Sequence, residues 1–111
     1  MYIKFDEYKF HAVEYKNEIF VLINDVRNFI DKNMYNSTIL GNVNNIYYEY
    51  KSIYSNIHCY IYEYENNYYI NWNIIIILTM KFNSKKYIKY KNILEKHLNY
   101  QKINDSDIKL D

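Results

Sequence analysis

Hydrophobic and polar positions alternate cleanly near the start of the chain. Tyr8, Phe10 and Ala12 interleave with Lys9, His11 and Val13, the period of two that a strand with one buried face requires. Residues 2–23 as a whole read as strand. Lys16-Asn17 forms a short turn, since Asn tolerates the positive φ of a tight hairpin, and Glu18 to Ile23 follows as a buried strand. The pattern returns at Ile57 to Tyr64. There Ile57, Cys59 and Ile61 take one face, and His58, Tyr60, Tyr62 and Tyr64 take the other. Asn66-Asn67 reads as the next turn, with Tyr68 to Asn71 returning. Two antiparallel hairpins are therefore predicted, near 8–23 and 57–71.

Between and after them the period changes. Val26, Phe29 and Ile30 fall at i, i+3, i+4, behind Asn24 or Asp25 as an N-cap, and predict a short helix ending near Lys32. Residues 33–45, rich in Asn and holding Gly41, read as a loop, and 43–54 fit either helix or strand. The Ile74–Leu78 run is apolar on nearly every side and predicts a central helix over 72–83, with Trp72 in or at the edge of the core. Ser84 is positioned to cap a last helix over 85–100. Tyr87, Tyr90, Leu94 and Leu98 form its apolar stripe, and Lys85, Lys89, Asn92 and Lys96 lie opposite. The fold class that follows is α+β: antiparallel hairpins packed with three to four helices in one domain over 1–100. A loose tail is expected over 101–111.

Composition changes how these residues are weighed. Ile, Asn, Lys and Tyr make up 64 of the 111 residues, while Pro, Gly, Ala and Arg number 0, 1, 1 and 1. The first four have AT-rich codons and the second four GC-rich ones. The bias points to an AT-rich genome, such as that of an insect poxvirus, another large DNA virus, a phage or a parasite. Tyr then stands in for Phe or Leu and Lys for Arg, so the 16 tyrosines do not by themselves make a stacking surface. No apolar run approaches the roughly 20 residues of a membrane span. The acids at Asp6 and Glu7 do not suit a secretory leader, and one cysteine fits a reducing compartment. An intracellular location, in host cytoplasm or nucleus, is expected.

The net charge of +1 conceals an asymmetry. Residues 1–78 carry a net −3, residues 79–102 a net +6, and residues 103–111 a net −2. A basic stretch with half its charge on one helix face suits phosphate, and Lys81, Lys85, Lys86, Lys89 and Lys96 are the candidate contacts. Catalytic patterns are missing. His11, His58 and His97 are scattered, and His58 and Cys59 point to opposite strand faces. The pair Glu63 and Glu65 reads as solvated hairpin-end charge, and one glycine cannot build a phosphate loop. No enzyme activity, metal or cofactor is expected.

Three segments together resemble the Bro-N and KilA-N group of viral and phage DNA-binding domains. YIKFDEYKFHAV at 2–13 is similar to that family's opening β-ribbon. EIFVLINDVRNFI at 18–30 resembles its apolar strand, Asp-Val pair and short helix, with Asp25-Val26 in the Asp-Val place. YINWNIIIILTMKFNSKKYIKYKNILEKHL at 69–98 resembles its closing pattern of Ile-Asn, aliphatic helix, Ser with basic residues, and aromatic amphipathic helix. The chain departs from the family in lacking the usual glycine and proline around the closing helices. The resemblance implies a non-enzymatic DNA-binding domain with little sequence specificity, contacting DNA, or RNA, through phosphates. The alternative is a small viral or phage protein that binds and inhibits a host protein through Tyr60, Tyr62, Tyr64 and Glu65, since tyrosine gives large contact area at low entropy cost. Neither reading involves a membrane.

Overall fold

The computed structural model describes residues 1–50 and 60–96. The strands are β1 (Tyr2–Phe5), β2 (Tyr8–Tyr15), β3 (Glu18–Leu22), β4 (Ile61–Tyr64) and β5 (Asn67–Asn71). The helices are α1 (Ile23–Ile30), α2 (Asn36–Tyr50), α3 (Trp72–Phe82) and α4 (84–96). All strand pairs are antiparallel, in the order β1-β2-β3-β5-β4. The architecture is thus α+β. The two hairpins of the sequence pattern are joined through β3 and β5 into one sheet, which β1 extends at one edge by pairing Phe5 with Tyr8 and Tyr2 with His11.

Strand alternation sends Ile3, Phe5, Phe10, Ala12, Ile19, Val21 and Ile70 to one face, where all are buried against the helices. Val26, Phe29 and Ile30 of α1 join them, as do Ile74 to Leu78 of α3 and Tyr90 and Leu94 of α4. Trp72, fully buried, meets Phe10 edge-on at 5.5 Å between centroids. The other face holds one fully buried ring, Phe20. Tyr15 and Tyr62 both lie against Phe20 and stack on each other at 4.8 Å, although β3 and β5 separate their strands.

Several elements differ from the sequence pattern. The Asn-rich segment 33–45, expected as a loop, is mostly the front half of α2, and Ile39, Val43 and Ile46 are its buried stripe. Burial of that stripe outweighs the poor helix propensity of Asn and Gly. Helix α1 starts at Ile23, so the cap position falls on Leu22, whose side chain cannot accept a hydrogen bond, while Asp25 lies inside the first turn. Its carboxylate accepts the His11 backbone N–H at 2.7 Å and lies 2.8 Å from His11 Nδ1. The second hairpin turns on Glu65-Asn66, both at positive φ, one residue earlier than the expected Asn66-Asn67. Tyr60 leaves the side of Tyr62 and Tyr64. It stacks on Tyr47 of α2 at 4.3 Å and donates its hydroxyl to Asn44. Residues 51–59, with His58 and Cys59, lie outside the described residues, as do 97–111, with His97, Leu98 and the expected tail.

Candidate nucleic-acid interface

Helix α4 is positioned from both ends. At its start the Asn83 carboxamide accepts the Lys86 N–H at 3.2 Å and donates to the Ile30 carbonyl at 2.9 Å. Asn83, rather than the expected Ser84, is therefore the N-cap, and it ties α4 to the end of α1. Further along, Tyr90 donates to Asp6 at 2.8 Å, and the Trp72 indole N–H donates to the Leu94 carbonyl at 3.0 Å. Tyr90 and Leu94 are buried and Tyr87 is half-buried, so one face of the helix is committed to the core.

That commitment decides where the lysines go. Lys85, Lys89, Asn92 and Lys96 are exposed along the opposite face, within about 60° of one another at 100° per residue. Lys81, in the last turn of α3, is also exposed, as a cation at a helix C-terminus favours. None of these four makes a carboxylate ion pair among the described residues, where the His11–Asp25 contact is the ion pair present. Lys86 is different. One position round the helix from Lys85, it is half-buried, donates to the Phe29 carbonyl, and lies 4.7 Å from the Tyr8 ring centroid and 5.3 Å from that of Phe29. Of the two asparagines near the lysines, Asn83 is consumed by its cap, and Asn92 is exposed on the lysine face with no hydrogen bond among the described residues.

The sequence pattern did not group Glu7, Asn28 and Lys32, yet they meet Tyr8 and Lys86 around a common cleft. No spacing in the chain signals this, because the five come from the β1–β2 turn, the start of β2, the C-terminal end of α1 and a separate helix. The tyrosine surface divides. Tyr62 and Tyr64 stack with 13° between their planes and continue the Tyr15–Tyr62 stack, while Tyr60 is turned toward α2. Among the described residues no group of three or more His, Cys, Asp or Glu side chains gathers where a metal could sit, and no helix is long and apolar enough to cross a membrane. Comparison with protein-family models, with curated proteins and with solved structures finds no match to the chain.

Proposed function

We propose that this is a non-enzymatic nucleic-acid-binding domain of a virus or phage with an AT-rich genome, contacting phosphates through α4. The observation that carries the reading is the row Lys85, Lys89 and Lys96, exposed and free of carboxylate partners among the described residues, on a helix whose other face is locked into the core. Lys81 extends the row. Lysine ammoniums are point charges that hold a phosphate backbone and read few bases, so the binding has low sequence specificity. The resemblance to Bro-N and KilA-N domains supports the same reading, with DNA as the partner.

The test is a salt-titrated binding assay on duplex DNA, single-stranded DNA and RNA. With three to four phosphates neutralised, the slope of log affinity against log salt on a duplex is roughly −3 to −4. The K85A/K89A/K96A variant flattens that slope by about 2 to 3 units. Absence of binding at low salt, or an unchanged slope in the variant, overturns the reading. A host-protein surface is then the alternative, supported by the stacked Tyr15, Tyr62 and Tyr64 rings, of which Tyr15 and Tyr64 are exposed.

A further inference from the structure

A cleft of about 500 Å³ opens where the β1–β2 turn, α1 and the first turn of α4 meet, lined by Glu7, Tyr8, Asn28, Lys32 and Lys86. Its electrostatics are set by Lys86. An ammonium carries three N–H donors. One is used on the Phe29 carbonyl, and the others have no protein acceptor among the described residues. The ammonium also has no carboxylate within ion-pair distance there. Lys32, two residues past the end of α1, brings a second ammonium, and Asn28 brings a carboxamide donor. Glu7 is the single acid of the lining, so cations outnumber anions and donors are in excess.

Size narrows the ligand. A B-form duplex, whose major groove alone is about 12 Å wide, does not enter such a space. A single tetrahedral phosphate does. It would take donors from Lys86 and Lys32 while Tyr8 and Phe29 keep the far side of the Lys86 ammonium dry. We infer that this cleft is a phosphate-binding site for a phosphomonoester group, whether free phosphate, a small phosphoester or the phosphorylated end of a strand. None of Lys81, Lys85, Lys89 and Lys96 lines it, so it stands independently of duplex binding by α4.

The experiment is amide NMR of the intact chain titrated with inorganic phosphate, repeated on K32A, E7Q and K85A/K89A/K96A. Lys32 and Glu7 are exposed, so both single variants keep the wild-type fold, which their spectra report directly. Saturable shifts are expected at residues 7, 8, 28, 32 and 86. Affinity falls about fivefold in K32A, which removes an attracting charge, and rises about threefold in E7Q, which removes a repelling one, each nearby and screened. The triple variant titrates like wild type. A parallel titration with 5′-phosphorylated and 5′-hydroxyl oligonucleotides assigns the source. A preference for the phosphorylated strand that K32A abolishes names the strand end, and equal binding of the two names free phosphate or a small phosphoester. No saturable shift at these residues, or affinities unchanged in both K32A and E7Q, overturns the site.

Discussion

Tyr90 donates its phenolic hydroxyl to the Asp6 carboxylate at 2.8 Å, joining the middle of α4 to the turn between β1 and β2. The bond favours the neutral phenol and, with burial and the negative charges of Asp6, Tyr8 and Glu7, pushes the Tyr90 pKa up from 10.0 to about 12. A group whose folded pKa lies above its unfolded value stabilises the fold fully below the unfolded value and loses that contribution as pH rises through the folded one. The stabilisation by Tyr90 is therefore complete below about pH 10 and disappears by about pH 12. Y90F is expected to be less stable than wild type at neutral pH, with the gap closing across that window. Thermal melts of both proteins at stepped pH check it, and a gap that stays constant to pH 12 contradicts the assignment.

Lys86 differs from Lys85 and Lys89 beside it in being half-buried against α1. K86M removes a charged hydrogen bond to the Phe29 carbonyl and two ring contacts, and is expected to cost about 1–2 kcal/mol of stability. Its salt slope on duplex DNA should match wild type, in contrast to K85A/K89A/K96A. Denaturant titration and the binding assay on the same sample separate the two effects.

Gly41 sits inside α2 in helical conformation, and a Cβ placed on it meets nothing within 4 Å. G41A is expected to stabilise the protein by about 0.5–1 kcal/mol, raising the melting temperature by roughly 3–6 °C. A lower melting temperature would mean that this face of α2 is already covered.

Three two-residue turns are built without glycine. Asp6, Lys16, Asn17, Glu65 and Asn66 all hold positive φ, between 49° and 65°. Glutamate has no local hydrogen bond to ease that conformation, as Asn has. E65N/N66G supplies the Asn-Gly pair suited to such hairpins and is expected to add about 1 kcal/mol. Chemical denaturation measures it, and a loss of stability would show that the Glu65 side chain makes a contribution of its own.

Strand alternation made β2 legible from the sequence and the Tyr90/Leu94 stripe made α4 legible, because each has a strong period and a buried face; β3 and α3 were legible as unbroken apolar runs buried nearly all round, and β5 as the return from an Asn-rich turn. Helix α2 was not, since Gly41 and four asparagines mask a stripe of only Ile39, Val43 and Ile46. The lysine face of α4 was readable from helical spacing alone for Lys85, Lys89 and Lys96. The fate of Lys86 was not, because it depends on a carbonyl of α1 far away in sequence. Asp25 looked like a helix cap and is instead claimed by His11, a tertiary contact that no local rule anticipates.

The seam between β3 and β5 sets Phe20 opposite Asn71 and Val21 opposite Ile70, while the pairs on either side of it close over turns of two residues. Folding therefore combines fast and slow steps. Each hairpin can zip within microseconds, but the seam must close a loop that contains α1 and α2. Docking of the two hairpins is then expected to set the folding rate, so that in stopped-flow chevrons substitutions at Val21 or Ile70 slow folding where equally destabilising ones in the β1–β2 hairpin mainly speed unfolding.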